Sequence, residues 1–169
     1  KKIYSQNPEI DSKKVHLLPI GLANSMWPHG DLIQFYTVMK DTYMYKKKNG
    51  IYININTNTF GYRKTVLDKL RTNGWKLSSS RPYKEYLLEL SQYRFCLCVR
   101  GNGIDTHRFW ESLYLGVIPV IINNAETDCK AFINLLNKLG IPFYEISSLD
   151  IFTYKTEYEL FNENLYKKI

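Results

Sequence analysis

Residues 94–122, RFCLCVRGNGIDTHRFWESLYLGVIPVII, constrain the fold of this chain more than any other stretch of its sequence. An apolar run over residues 95–99 has the length and composition of a buried strand. A polar turn over residues 100–103 follows, and the apolar spacing over residues 105–115 predicts a helix. A second apolar run over residues 117–122 predicts another buried strand. The stretch is therefore a β-α-β unit, which brings two parallel strands into one sheet.

The rest of the chain continues this alternation. Further strands are predicted over residues 15–22, 50–56, 75–77 and 142–146. Helices are predicted from Pro28 onward, around Val66 and Leu70, from Pro82 onward, and over residues 128–139 and 154–166. The alternation predicts an α/β fold, with a Rossmann-like, mostly parallel sheet and helices on both faces. Such sheets bind ligands at the carboxyl ends of their strands, near the point where the strand order reverses.

Length and cysteine content limit the class of protein. The 169 residues form a single α/β domain with an ordinary core. No apolar run approaches the roughly 20 residues of a membrane span, so no membrane segment is predicted. The three cysteines cannot all pair, and Cys96 and Cys98 share one face of a predicted buried strand. Packed thiols are favoured over metal ligands, so we expect no bound metal and a reducing, cytoplasmic compartment.

The charge of the chain indicates anionic partners. The formal net charge is +7, but the basic residues are dispersed, and only residues 46–48 form a run of lysines. A nucleic-acid-binding surface normally clusters its basic residues on one face and carries a recognisable module. Phosphate binding in a pocket is therefore favoured and no nucleic-acid partner is expected; a nucleic-acid-binding α/β domain is the weaker alternative.

The turn at residues 100–103 predicts an anion site. Arg100 and Arg108 flank its Gly-Asn-Gly sequence, where a strand leads into the N-terminus of a helix. Unpaired N–H groups and the helix dipole favour an anion there, and arginine offers planar donors to a diphosphate. Gly101 and Gly103 are expected to let the backbone approach the ligand closely. The alternative is a tight turn with two surface arginines.

Glu111 lies in the predicted helix after this turn. His107 and Glu111 are four residues apart and share a face, and Arg108 and Glu111 are three apart. Acidic residues accept hydrogen bonds from ribose hydroxyls in nucleotide-binding α/β folds, and this is the functional interpretation of Glu111. The alternative is a weak ion pair with Arg108 on the protein surface. Trp110 and Leu113 are expected to face the core.

Two other polar loops are predicted at the same edge of the sheet. One follows the strand at residues 50–56 and contains Asn56, Asn58, Thr59 and Arg63. Asparagine and threonine suit the hydroxyls of a sugar, but they also form turns for local reasons. The other follows the first predicted strand and contains Trp27, Pro28 and His29. A histidine beside a tryptophan is more often structural than catalytic.

Residues 94–122 resemble the donor-site segment of exostosin-like glycosyltransferases and their viral and microbial relatives. The shared features are a strand, a Val-Arg-Gly turn, an Arg-x-x-Glu helix and a Gly-x-x-Pro-Val end. The segments GLANSMWPHG and NTNTFGYRK also resemble members of that group, and weaker similarity extends over residues 15–150. The Gly-x-x-Pro-Val end recurs in many GT-B enzymes, so it indicates the superfamily better than the family.

The resemblance implies the C-terminal, nucleotide-sugar-binding domain of a GT-B enzyme, which usually needs no bound metal. It implies that the donor contacts Arg100, Gly101, Asn102, Gly103, Asp105, Thr106, His107, Arg108, Glu111, Asn58 and Arg63. Arg100 and Arg108 would contact the diphosphate, and Glu111 the ribose or the sugar. The sequence departs from the GT-B pattern after the Pro-Val strand, where Asn123-Asn124 stands in place of a second glutamate and Glu126 is only nearby.

The resulting expectation is a glycosyltransferase that moves a sugar from a nucleotide-diphosphate sugar to a hydroxyl of a glycan or another acceptor. The nucleotide sugar is its substrate, and no cofactor is expected. The candidates for a catalytic base are His29, Asp31 and Asp105. The alternative is a non-catalytic module that binds nucleotide sugars or glycans.

A complete GT-B enzyme has two such domains, and catalysis takes place in the cleft between them. Residues 1–30 are then either the end of a missing N-terminal domain or the tail of a compact variant. The domain alone is expected to bind the donor weakly and to transfer sugar poorly, because positioning of the acceptor and exclusion of water supply much of the catalysis.

Overall fold

A computed structural model describes residues 1–149 of the chain. The strands of this part are β1 (Ile3–Ser5), β2 (Val15–Leu17), β3 (Lys48–Tyr52), β4 (Tyr93–Leu97), β5 (Ile118–Ile122) and β6 (Tyr144–Ile146). Its helices are α1 (Leu32–Thr42), α2 (Tyr62–Thr72), α3 (Tyr83–Leu90), α4 (His107–Tyr114) and α5 (Lys130–Leu139). The helix predicted over residues 154–166 lies outside the described residues.

Four of the strands form one parallel sheet in the order β3-β4-β5-β6. Phe95 of β4 pairs with Ile118 of β5, and Val120 of β5 pairs with Tyr144 of β6. The predicted parallel sheet is therefore confirmed. These four strands follow one another in chain order, so their sheet contains no reversal of strand order. The carboxyl ends of β3 and β4 are the part of the sheet that concerns the ligand site.

Hydrophobic side chains cover both faces of this sheet. Phe95 and Leu97 of β4 pack in a cluster with α2. Cys96 of β4 and Cys98, which directly follows the strand, pack in a cluster with α1, α3, α4 and α5. Successive residues of a strand point to opposite faces, so an apolar run can be buried on both sides. Cys96, Cys98 and Cys129 are buried and free, as the prediction of packed thiols requires.

Two predicted strands differ from the structure. The first is shorter than residues 15–22, and it pairs with β1 in a separate two-stranded sheet. Residues 75–77 were predicted as a strand, and this is wrong because the segment is not part of either sheet. Beside it, the Ser78 amide donates to the Ile53 carbonyl at 2.8 Å, which ties the loop to the end of β3.

Local capping determines where the helices begin and end. Asp31 caps α1 by accepting a hydrogen bond from the Gln34 amide at 3.0 Å, so the helix starts after Pro28 rather than at it. Asp128 has a positive φ of 43°, which is incompatible with a right-handed helix, and α5 therefore starts later than predicted. The predicted stop at Gly140 is confirmed, since this residue has a left-handed φ of 67°.

Candidate functional site

A pocket of about 580 Å³ lies at the carboxyl ends of β3 and β4. It is formed by the loops after these strands, the segment before α3, the N-terminus of α4 and the loop before α1. Its lining residues are Pro28, His29, Asn54, Asn56, Thr59, Arg63, Ser80, Arg81, Pro82, Tyr83, Tyr86, Cys98, Val99, Thr106, His107, Arg108 and Glu111. The volume is typical of a site for a small molecule, and its position is the one that parallel sheets offer to ligands.

Three arginines line this pocket. Arg108 donates from Nη1 to the Asn54 carbonyl, and its guanidinium lies 5.5 Å from the centre of the Tyr86 ring. The Nη2 group of Arg108 makes no hydrogen bond within residues 1–149, which leaves planar donors for a ligand. Arg81 is more exposed and pairs through Nε with a Glu89 carboxylate oxygen at 3.0 Å. The arginines make the pocket attractive to a phosphate-bearing ligand.

Arg63 connects two of the loops around the pocket. Its guanidinium donates to the carbonyls of Asn56 at 3.0 Å, Val99 at 2.7 Å and Arg100 at 2.8 Å. Burial lowers the pKa of Arg63 to about 10, so it is still a cation at neutral pH. Three of its five N–H groups bind the protein, so Arg63 positions the loops and has two N–H groups left for a ligand.

Among the lining residues that belong to residues 1–149, Glu111 is the only one with a carboxylate. Only 4% of its surface is exposed. Its Oε2 accepts a hydrogen bond from the Tyr86 hydroxyl at 2.6 Å, and its Oε1 accepts one from the Tyr83 hydroxyl at 3.2 Å. The alternative of a surface ion pair with Arg108 is therefore wrong, because α3 covers this side of α4. Trp110 and Leu113 are buried, as predicted.

The two tyrosines of α3 hold the Glu111 side chain in one orientation. Burial raises the pKa of Tyr86 well above its ordinary value, and the neighbouring Glu111 raises it further. Burial also raises the pKa of Tyr83, with a further contribution from Glu111. Both hydroxyls therefore keep their protons at neutral pH and act as donors to the carboxylate. Each carboxylate oxygen retains a lone pair that a ligand hydroxyl can use.

Two imidazole rings line the pocket on the side of the loop before α1. His107 Nδ1 lies 2.8 Å from the Gly21 carbonyl oxygen. A carbonyl only accepts, so Nδ1 carries the proton and Nε2 of the neutral ring is an acceptor. The His29 ring is 6.1 Å from the His107 ring and stacks on Trp27 at 6.2 Å. These contacts give the pocket two groups that can accept or donate a proton.

The predicted turn at residues 100–103 lies beside a different, smaller cavity of about 330 Å³. That cavity is lined by Asn7, Glu9, Ile20, Arg100, Asn102, Gly103, Ile104 and Asp105. Arg100 donates from Nη1 to the Thr127 carbonyl at 2.7 Å, and its guanidinium lies over the Phe60 ring at 5.0 Å. Arg100 thus connects the turn to the loop after β5, and it does not line the large pocket.

The two glycines of the turn make room for protein side chains. A Cβ atom on Gly101 would lie 3.1 Å from Arg63 Nη2. A Cβ atom on Gly103 would lie 2.3 Å from Asn7 Oδ1, which accepts a hydrogen bond from the Asp105 amide at 3.0 Å. The space beside the two glycines, which was predicted to admit a ligand, is therefore occupied by the side chains of Arg63 and Asn7.

The remaining predicted residues have local structural contacts. Asp105 is 3% exposed, and its carboxylate accepts from the Ile20 amide at 2.7 Å and from Trp110 Nε1 at 2.6 Å. Burial raises the pKa of Asp105 to about 6. Asp31 caps α1, and the Asn58 amide donates to Asn56 Oδ1 in a turn at 2.9 Å. None of these three residues lines the large pocket.

The large pocket therefore brings together five of the predicted binding residues and one of the candidate bases. The binding residues are Arg63, Thr106, His107, Arg108 and Glu111, and the candidate base is His29. The pocket residues that the sequence did not indicate as part of a site are Asn54, Ser80, Arg81, Tyr83 and Tyr86. The spacing of Tyr83 and Tyr86 is the one signal that was available, since residues three apart share a face of α3.

Comparisons with known proteins do not assign the chain to a family. The sequence matches no protein-family model, and a search of curated proteins finds no match. Within residues 1–149, no group of three His, Cys, Asp or Glu side chains is close enough to hold a metal ion. The function must therefore be argued from the chemistry of the pocket and from the resemblance of residues 94–122.

Proposed function

We propose that this chain is the donor-binding domain of a glycosyltransferase, which moves a sugar from a nucleotide-diphosphate sugar to a hydroxyl acceptor. One observation carries the proposal: cationic guanidinium groups and a buried carboxylate face the same pocket at the carboxyl edge of a parallel sheet. Arg81 and Arg108 provide the cations, and Glu111 provides the carboxylate. A nucleotide-diphosphate sugar combines the two chemical features that this pocket complements, an anionic diphosphate and neutral hydroxyls.

The arginines suit the diphosphate. Arg108 keeps its Nη2 donors available, and Arg81 is exposed enough to move toward a ligand. Guanidinium groups bind phosphate oxygens through paired, charge-assisted hydrogen bonds. Thr106 and His107 begin α4 at the same place, so the helix dipole adds to the attraction. Arg100 has no part in this contact, because its guanidinium lies beside the smaller cavity.

Glu111 suits hydroxyls because a carboxylate is an acceptor only. The Tyr83 and Tyr86 hydroxyls fix its orientation, so a ribose or sugar hydroxyl meets an acceptor that is already positioned. Two asparagines that also line the pocket, Asn54 and Asn56, offer both donors and acceptors. We therefore assign discrimination of the sugar to Glu111 and these two asparagines.

The transfer itself breaks the bond between the anomeric carbon and the diphosphate oxygen. The acceptor hydroxyl oxygen forms the new bond to that carbon, and its proton passes to a base. His107 Nε2 is available as an acceptor, and His29 lies next to it. The arginines stabilise the charge that develops on the departing diphosphate, which is the largest contribution expected of such a site.

Calorimetric titration with UDP and GDP tests this assignment. Arg81→Gln removes a pocket cation, and Arg71→Gln is its matched control. Like Arg81, Arg71 pairs with one carboxylate: its Nη1 lies 3.8 Å from Asp68 Oδ1. Unlike Arg81, it lies on α2, outside the pocket. We expect Arg81→Gln to weaken nucleotide binding roughly tenfold or more, because one charge-assisted contact is lost. Arg71→Gln should leave the affinity for both nucleotides unchanged.

Equal affinity of Arg81→Gln and the wild type for both nucleotides would contradict the assignment of this pocket. Transfer assays with labelled donors then separate catalysis from binding alone. The assays use the protein together with any domain that it normally carries. If this protein binds nucleotide sugars without turning them over, the result would favour the non-catalytic module. Salt-dependent nucleic-acid binding that a nucleotide sugar cannot displace would favour the nucleic-acid-binding domain.

A further inference from the structure

A group of large apolar side chains is exposed on and beside α1. The group, which we name the α1 patch, consists of Met26, Trp27, Ile33, Tyr36, Tyr43 and Met44, whose exposure ranges from 54% for Trp27 to 86% for Met44. Several large apolar side chains exposed in one part of a protein are unusual on a monomer and indicate an interaction site.

The geometry of α1 places several of these side chains on one side of the helix. Ile33, Tyr36 and Tyr43 follow one another at spacings of three and seven residues, so they lie on one side of the helix. Phe35 and Val38 point to a different side, where they are fully buried in the core. The helix therefore has two apolar sides, and the interior of the protein uses only one of them.

The residues around the patch indicate what it contacts. Lys40 lies on the same side of α1, between Tyr36 and Tyr43, and the exposed Lys46 follows Met44 and Tyr45. The next two lysines bind the protein instead: Lys47 donates to the carbonyls of Ser91 and Leu115, and Lys48 donates to Gln92 Oε1. Residues 26–48 contain no arginine. Protein–protein interfaces favour arginine and disfavour lysine. Tryptophan, tyrosine and lysine beside aliphatic residues are instead typical of helices that lie in the interface of a bilayer.

We propose that the α1 patch docks on a lipid bilayer that contains anionic lipids, with Ile33, Tyr43 and Met44 inserted between the headgroups. The net charge of +7 and the lysines beside the patch complement an anionic surface. Within residues 1–149 no helix is long and apolar enough to cross a bilayer, and the contact is a peripheral one. Trp27 stacks on His29, so the patch borders the large pocket. The proposal does not depend on the proposed function.

Sedimentation with lipid vesicles tests the apolar part of the contact. The full chain is mixed with vesicles of phosphatidylcholine alone or of an equal mixture with phosphatidylserine, and the bound fraction gives a partition coefficient. Ile33→Asp should lower the coefficient for the mixed vesicles roughly tenfold or more, because a charge replaces an inserted side chain. Asp at this position in the first turn of α1 also complements the helix dipole, so the fold is preserved.

Ile10→Asp is the matched control. Ile10 is 69% exposed in the loop between β1 and β2, outside the patch, and its replacement should leave the coefficient unchanged. The electrostatic part is tested with Lys40→Gln and Lys46→Gln, each of which should lower the coefficient by about fivefold at low salt. Lys13→Gln and Lys14→Gln remove the same charge from exposed positions outside the patch and serve as controls.

Three results would overturn the proposal. The first is no binding of the wild type to the mixed vesicles, and the second is equal binding by Ile33→Asp and the wild type. The third is a concentration-dependent dimer, seen by light scattering, that Ile33→Asp abolishes while no vesicles are bound. That last result would show that a second copy of the chain covers the patch. Binding to mixed vesicles that Ile33→Asp weakens and Ile10→Asp does not would support the proposal.

Discussion

Tyr86→Phe removes a single hydroxyl from the most buried part of the large pocket. This hydroxyl donates to Glu111 Oε2 at 2.6 Å and accepts a longer contact from Arg108 Nε at 3.4 Å. Phenylalanine keeps the ring that packs against Tyr52 at 5.9 Å, so the substitution changes hydrogen bonding and little else. The variant therefore measures what the donor to Glu111 contributes to stability.

The expected loss follows from the burial of Glu111, which is 4% exposed. A hydrogen bond to a charged group contributes about 1.5–3 kcal/mol, and the loss of the donor costs more when the acceptor is largely buried. We expect Tyr86→Phe to lower the free energy of unfolding by about 2–3 kcal/mol. Tyr83→Phe is the matched comparison, since its hydroxyl reaches the same carboxylate at 3.2 Å. That longer bond, from a half-buried residue, should contribute about 1 kcal/mol or less.

Urea denaturation of the wild type and both variants measures these losses. For a chain of this size, a loss of about 1 kcal/mol also lowers Tm by roughly 2–4 °C, so thermal unfolding should rank the variants in the same order. Combining each variant with Glu111→Gln completes a double-mutant cycle, in which the coupling of Tyr86 with Glu111 should exceed that of Tyr83. A loss under about 0.5 kcal/mol for Tyr86→Phe would refute the role of the buried pair.

Two further predictions concern the turn beside the smaller cavity. Because burial raises the pKa of Asp105 from 3.8 to about 6, the folded protein binds its proton more tightly than the unfolded chain. The stability that this adds is fully present below about pH 4 and is lost as the pH rises through 6. Relative to Asp105→Asn, the wild type should therefore lose about 2 kcal/mol of unfolding free energy between about pH 4 and about pH 7, and a flat difference would contradict this. Gly103→Ala should lower the free energy of unfolding by about 1–3 kcal/mol in urea denaturation, because the new Cβ atom would displace the Asn7 side chain. Gly61→Ala is the control and should be nearly neutral, because a Cβ atom there has no neighbour within 4 Å. Equal effects of the two substitutions would show that Asn7 adapts freely.

Most of the order of strands and helices in the described part of the chain was predictable from local sequence patterns, although β1 was not predicted and residues 75–77 are not a strand. The runs at residues 95–99 and 117–122, which overlap β4 and β5, are apolar at every position, and alternate residues must then be buried on opposite faces of the sheet. For the same reason Cys96 and Cys98 were expected on one face, where the structure buries both. Periodicity and caps are properties of neighbouring residues, so they can be recognised without the tertiary structure. The glycosyltransferase activity stays a prediction.

The partners of the site residues depended on the tertiary structure alone. Arg100 and Arg108 flank the same turn, yet Arg100 joins the Thr127 loop while Arg108 faces the large pocket. Glu111 has a spacing that suits an ion pair on its own helix, but its partner Tyr86 comes from α3, 25 residues earlier. Sequence patterns encode which side of an element is buried, whereas the contacts of a polar side chain depend on which elements pack around it. Those packing contacts join distant parts of the chain, and local periodicity carries no record of them.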